Sequence, residues 1–152
     1  MPSTDSSTPT STALAVRIAV AGTCAALVLA TTSYLINVLW LGPAHDALDV
    51  FRPDDDLLVV PGLAVSALVW GVLLASGYRT LWRRPSVRPG WQEGAAYGAL
   101  VCLFFTWIQS VFLFQFIRIT PALLLGDLLH YLVASTASGA IIGCIVPRAP
   151  AR

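Results

Sequence analysis

Residues 121–146 read PALLLGDLLHYLVASTASGAIIGCIV, an apolar run that exceeds the roughly 20 residues a helix needs to cross a hydrocarbon core about 30 Å thick. Three more runs of similar length precede it, and none of the four has an Asp, Glu or Lys in its central stretch. The sequence therefore predicts an all-α integral membrane protein, a four-transmembrane-helix bundle. The predicted helices are residues 13–41, 57–78, 92–117 and 121–146.

The composition also indicates a membrane protein. Hydrophobic residues make up 57% of the chain and charged residues 11%, against roughly 25% charged residues in an ordinary soluble domain. A soluble core built from 152 residues could not hide that much apolar surface. The formal net charge is +1, and most arginines flank the predicted helices, so the sequence argues against nucleic acid as a partner.

The two ends of the chain are predicted to be short tails beside a single membrane domain, residues 13–147. Residues 1–12, MPSTDSSTPTST, are small and polar, which is typical of a disordered segment. We expect no cleavable signal peptide, because the apolar run behind Arg17 is longer than the about 7 to 15 residues of a signal's apolar part. Residues 148–152 form the second tail.

The arginine distribution predicts the orientation of the helices. Basic connections stay in the cytoplasm; the connection between the second and third helices is the most basic, whereas residues 42–56 carry five Asp. Both termini are therefore predicted to be cytoplasmic, with the chain in the cell inner (plasma) membrane. The residues expected to contact lipid headgroups from the basic connection are Arg79, Arg83, Arg84 and Arg88.

Proline and glycine mark the predicted helix boundaries. The Gly-Pro pair at 42–43 is expected to end the first helix, because glycine tolerates a left-handed stop and proline cannot continue the hydrogen-bond ladder. In the Thr-Pro pair at 120–121, the threonine is expected to cap the fourth helix and the proline to occupy its first position. Pro61 leaves two alternatives for the second helix, a start near Val60 or a start near Leu57 followed by a kink.

The first outer connection contains a short amphipathic pattern. Its apolar residues have the i, i+3, i+4, i+7 spacing of an interfacial helix, and they are Ala44, Ala47, Leu48 and Phe51. The ionisable residues around them match no calcium-loop spacing, so we interpret them as capping and loop residues and predict no metal and no cofactor. These residues are His45, Asp46, Asp49, Asp54, Asp55 and Asp56.

Small residues recur at every fourth position in the fourth helix, at Ser135, Gly139 and Gly143. Such a ridge lets helix backbones approach closely, which matters in lipid because packing contacts drive helix association there. We therefore expect the fourth helix to be central, with a homodimer built on a leftover ridge as the alternative. Weaker ridges are Gly22, Ala26 and Ala30 in the first helix, Gly71 and Ala75 in the second, and Gly94 and Gly98 in the third.

Polar residues at similar depth in three helices form a candidate binding site in the outer half of the bilayer. Asp127, His130 and Tyr131 are three and four residues apart, so one helical face can present all three, with the carboxylate orienting the imidazole. A charge near mid-bilayer costs at least about 2.5 kcal/mol, which makes intramembrane ionisable groups functional candidates. The alternative is that they only hydrogen bond across helices. The predicted cluster is Tyr34, Asn37, Gln109, Asp127, His130 and Tyr131.

The three cysteines, Cys24, Cys102 and Cys144, all fall within predicted helices and form no CxxC pair. A disulfide between Cys24 and Cys102 is conceivable from their depth, but we interpret all three as packing residues. His130 is the only imidazole within a predicted helix, so a bis-histidine haem would require a second subunit.

The sequence contains no pattern typical of a catalytic reaction, such as a nucleophile elbow or a Gly-rich phosphate loop. We expect a small multi-pass membrane protein with a non-enzymatic role, an accessory protein that binds lipid, a membrane protein partner or a second copy of itself. The first alternative is a small transporter in which the polar cluster binds a proton or a solute. The second alternative is a membrane enzyme that acts on lipid or quinone through the same cluster.

Overall fold

The computed structural model describes residues 11–43, 56–82, 90–114 and 120–146, and these ranges are helical except for single residues at their ends. Four helices are long and apolar enough to cross a membrane, as predicted. They are Ser11–Leu41, Pro61–Leu81, Gly90–Phe112 and Pro121–Ile145. The predicted interfacial helix and the ionisable residues between 45 and 55 lie outside the described ranges.

The first helix consists of α1, Ser11–Ile36, and a π-helical turn, Asn37–Leu41. It begins at residue 11, inside the segment predicted to be a disordered tail. The chain is still helical at Gly42 and Pro43, so the prediction that this pair ends the helix is wrong. The predicted stop needed a left-handed glycine, and no glycine in the described ranges has a positive φ. The fixed φ of proline, about −65°, is compatible with a helical turn.

The second helix, α2, covers Asp56–Leu81 with Pro61 inside it, so the alternative start near Leu57 is confirmed. It extends beyond the predicted end at residue 78. Arg79 lies in its last turn, where a positive charge interacts favourably with the negative end of the helix dipole.

The third helix contains a π-helical segment that the sequence did not predict. It begins with α3, Gly90–Val101, continues through the π segment Cys102–Trp107, and ends with α4, Ile108–Phe114. Bonding from i to i+5 rotates everything that follows relative to a continuous α-helix. The helix starts two residues before the predicted 92, and the predicted end at 117 lies outside the described ranges.

The fourth helix, α5, covers Pro121–Ile145 and begins as predicted. The hydroxyl oxygen of Thr120 accepts a hydrogen bond from the backbone N–H of Leu123 at 3.2 Å, which satisfies one of the free donors of the first turn. Pro121 occupies the first turn, where its missing N–H costs no hydrogen bond.

α5 lies at the centre of the helix packing, as the small-residue ridge predicted. It packs extensively against α3 on one side and α1 on the other. α2 packs mainly against α1 and has much smaller contacts with α5 and α3.

Glycines bring α3 and α5 to backbone contact. A Cβ added at Gly94 would meet the carbonyl oxygen of Gly139, and one added at Gly98 would meet that of Ser135. At the end of this series, Gly90 lies against Gly143 in the same way. The partners ascend in α3 while they descend in α5, so the two helices are antiparallel, and the missing side chains of Gly90, Gly94 and Gly98 allow this separation.

α1 and α2 also meet at a glycine. A Cβ at Gly71 would clash with the carbonyl oxygen of Gly22, and it would lie 3.0 Å from the backbone nitrogen of Ala26. The weaker ridges that the sequence showed in the first two helices are therefore used against each other.

Hydrogen bonds between α1 and α5 fix an antiparallel register. The Ser138 hydroxyl donates to the carbonyl oxygen of Ala25 at 3.0 Å, and Nε2 of His130 lies 2.8 Å from the Ser33 hydroxyl oxygen. Moving up α1 from residue 25 to 33 corresponds to moving down α5 from 138 to 130. The beginning of α1 and the end of α5 therefore lie at the same end of the molecule.

The outer faces of the helices are apolar. Many large hydrophobic side chains have more than half of their surface exposed, among them Leu27, Leu63, Phe104, Ile108 and Val133. The contacts between helices, by contrast, use many small residues. Helices that are hydrophobic all round belong either in a protein core or in a membrane.

Candidate functional site

His130 is the centre of the candidate polar site. Its side chain is only 7% exposed, although it projects from a helix whose neighbouring residues are almost all apolar. Its Nε2 atom is 2.8 Å from the hydroxyl oxygen of Ser33 in α1, and which of the two groups donates depends on the imidazole tautomer. The hydrogen bond links the first and fourth helices. It also gives the buried imidazole a polar partner, without which its burial would cost free energy.

Tyr131 stacks on His130 within the same helix. Their ring centroids are 4.8 Å apart, and the ring planes differ by 17°. Asp127, one turn before Tyr131 on the same helix, is half-buried, and Tyr131 is 38% exposed. The structure therefore brings three of the predicted residues together on one face of α5.

The other predicted residues do not join this group. Tyr34 is 68% exposed and belongs to the outer surface of α1. Gln109 is exposed on α4 and makes no side-chain hydrogen bond to any residue in the described ranges. Asn37 opens the π turn of the first helix, and its side chain is not among those described. Similar positions along the helices were therefore not enough to predict that side chains point at one another.

Sequence reasoning missed Ser33 and Trp107. Ser33 is a small hydroxyl among the polar residues 31–33, and only the antiparallel register of α1 and α5 singles it out. Trp107 ends the π segment of the third helix, and its indole Nε1 donates to the carbonyl oxygen of Leu128 at 3.1 Å. The rotation introduced by that segment gives no signal in the residue pattern.

Cys102 lies beside the same group from the third helix. It is fully buried. Cys102 and Cys24 are both free thiols. The registers place Cys24 near residue 139 of α5 and Cys102 near residue 131, about 12 Å apart along the helix axis, so the conceivable disulfide between them does not fit.

A second buried polar group, which sequence reasoning also missed, lies near the start of α3. Glu93 is in the first turn and is only 4% exposed. One turn later, the Tyr97 ring contacts Tyr78 of α2 and Trp82, which directly follows α2, edge to face, at centroid distances of 5.4 and 5.6 Å. The four-residue spacing of Glu93 and Tyr97 was the available signal, since both occupy the face of α3 that is buried.

Arg79, one of the four predicted headgroup contacts, lies in the last turn of α2 near this second group and is half-buried. Arg83, Arg84 and Arg88 lie outside the described ranges. Within the ranges the structure describes, no three His, Cys, Asp or Glu side chains come close enough together to hold a metal ion.

The arrangement can do two things chemically. The hydrogen bonds of Ser33, Trp107 and Ser138 tie α1, α5 and the third helix to one another. Asp127 and His130 add two ionisable groups within a helix of membrane-crossing length, and an imidazole is the side chain best suited to exchange a proton near neutral pH.

The chain matches no protein-family model, no curated protein and no solved structure. Its function is therefore argued from the sequence and the geometry described above.

Proposed function

We propose that this chain is an integral protein of the cell inner (plasma) membrane, a four-helix bundle with both ends in the cytoplasm, and that it serves as a non-enzymatic accessory subunit. Its ligands are a membrane protein partner, which includes a second copy of the chain, and lipid. The apolar outer faces of all four helices support the membrane location, because water would not tolerate so much exposed hydrophobic surface.

The cytoplasmic orientation is supported by two features at one end of the molecule. The antiparallel pairing of α1 with α5 puts the beginning of α1 and the end of α5 there. Gly90 packs against Gly143 near the end of α5, so the start of α3 is at this end too. The sequence directly before α3 is rich in arginine, and basic segments remain in the cytoplasm.

One observation supports the non-enzymatic role: three interior side chains, those of His130, Ser138 and Trp107, hydrogen bond to another helix. His130 is bonded to Ser33, and Ser138 to the Ala25 carbonyl, so these side chains hold the helices in register. The exposed surface lies on the outer faces of the helices. Residues 61–66 of α2 are exposed at every position, and therefore on every side of the helix. A partner or lipid is the natural contact for such a segment.

A photo-reactive amino acid placed at Leu63 tests the accessory role in intact membranes. The side chain of Leu63 is 66% exposed, and that of Leu74, the control position on the same helix, is 3% exposed. We expect a discrete protein adduct from position 63 and none from position 74. The absence of any protein adduct from position 63, together with solute flux by the purified protein, would contradict the proposal.

A small transporter is the second candidate, and Asp127 is the observation that favours it. This carboxyl group lies in a membrane-length helix three residues from His130, and such groups often mark proton or ion pathways. Proton or solute flux into proteoliposomes that is lost in Asp127→Asn and kept in Ser66→Ala, an exposed polar control, would establish this candidate.

A further inference from the structure

Gln109 is a polar side chain on an otherwise apolar outer face. Its neighbours on that face are Phe105, Ile108 and Phe112, which are 65%, 63% and 58% exposed. Gln109 is itself exposed, and it makes no side-chain hydrogen bond to a residue in the described ranges. We call these four residues the Gln109 face.

The position of Gln109 along the helix gives its amide few partners in a bilayer. Trp107 is level with Leu128, which is seven residues into α5, and Gln109 is two residues further toward the outer end. The amide therefore lies roughly 7 Å inside the start of α5 along the axis. An amide in hydrocarbon without a hydrogen-bond partner costs free energy, and interhelical bonds are the usual remedy.

We propose that the Gln109 face is the interface between two copies of this chain, with the two Gln109 amides bonded to each other across a twofold axis. This inference rests on the proposed membrane insertion and names the partner as a second copy. Each amide donates from its N–H to the carbonyl oxygen of the other, so the pair forms two reciprocal hydrogen bonds.

Symmetry favours a second copy over an unrelated protein. Two copies inserted with the same orientation hold Gln109 at the same depth, so a twofold axis along the membrane normal brings the amides to one level without any adjustment. The face has no charge to select an oppositely charged partner. An unrelated helix would need its own polar group at that depth, whereas Phe105 and Phe112 can pack against their symmetry mates on either side of the amides.

Cysteine cross-linking in membranes tests the interface. In a chain whose Cys24, Cys102 and Cys144 are replaced by Ala, Gln109→Cys should form a disulfide-linked dimer on mild oxidation. Leu125→Cys is the matched control, because Leu125 is 57% exposed on α5 near the same depth, and it should remain monomeric. A dimer formed equally well at both positions, or a cross-link from position 109 to a different protein, would overturn the proposal.

The dimer affinity of otherwise unmodified protein gives a second readout. Gln109→Leu keeps the face apolar and removes the amide pair, so its dissociation constant in bilayers should rise about three- to thirtyfold. An unchanged constant would also overturn the proposal. Resistance to alkaline extraction separates the two levels of inference: a protein that leaves the membrane contradicts the proposed function, while one that stays but does not cross-link at 109 contradicts only the Gln109 interface.

Discussion

Nε2 of His130 in the fourth helix lies 2.8 Å from the hydroxyl oxygen of Ser33 in the first. The residue that looked most like a functional group in the sequence is thus bonded to a serine that the sequence did not single out. Together with the bond from Ser138 to the Ala25 carbonyl, this contact sets which residues of the two helices face each other.

The Ser33–His130 contact predicts energetic coupling between the two positions. In a double-mutant cycle of Ser33→Ala and His130→Ala, the coupling should be about 0.6 kcal/mol and at most about 1.7 kcal/mol, the range for polar pairs in membranes. Unfolding from mild detergent into a denaturing detergent measures it. The control is a cycle of Ser66→Ala and His130→Ala, because Ser66 is exposed. This cycle should show no coupling, and equal coupling energies in the two cycles would argue against the contact.

The glycine contacts predict that moving α3 and α5 apart lowers the free energy of unfolding. Gly139→Ala puts a methyl group against the backbone of Gly94 and Gly98, so the free energy of unfolding should fall by about 1 to 3 kcal/mol. Gly62→Ala is the matched control, because nothing lies within 4 Å of the added Cβ. That change should be neutral or stabilise the helix by up to about 1 kcal/mol. Similar losses in both variants would contradict the packing.

The indole of Trp107 predicts a measurable contribution from a single donor. Trp107→Phe keeps an aromatic ring but removes the hydrogen bond to the Leu128 carbonyl, so we expect a loss of about 0.6 to 1.7 kcal/mol in the same unfolding assay. Trp91→Phe, at a side chain that is half exposed, should change the stability by less than about 0.5 kcal/mol. Equal losses of stability in the two variants would contradict the hydrogen bond of Trp107, and with it the role of the π segment in positioning this side chain.

Cysteine reactivity tests burial without altering the chain. In detergent, a maleimide should modify the exposed Cys144 fastest, the half-buried Cys24 more slowly, and the fully buried Cys102 only after unfolding. Mass spectrometry of peptides identifies the modified residue at each time point. Modification of Cys102 as fast as Cys144 in folded protein would be incompatible with the third helix packing as described.

Much of the fold followed from the sequence because length and hydrophobicity set where membrane-length helices can be. The central position of the fourth helix followed from Ser135, Gly139 and Gly143, since only small residues allow backbones to touch. The prediction that the Gly-Pro pair at 42–43 ends the first helix was wrong. A glycine stops a helix in this way only when its φ becomes positive, and that depends on the contacts of the following chain.

The candidate site was predicted less well. Asp127, His130 and Tyr131 share one face of α5 because their spacing is local, and local spacing can be read from a sequence. Tyr34 and Gln109 face outward instead. The directions of these two side chains depend on the rotation of one helix against another. In the third helix they also depend on the π segment Cys102–Trp107, which no residue pattern predicted.

Locating the two chain ends relative to the membrane tests the central claim most directly. Reporter fusions at the N terminus and at the C terminus, one type active only in the cytoplasm and the other only outside it, give the side of each end independently. Four crossings, with the first and fourth helices antiparallel, predict cytoplasmic activity at both ends. Ends on opposite sides, or a reporter-free protein that stays in solution without detergent, would contradict the four-crossing membrane protein.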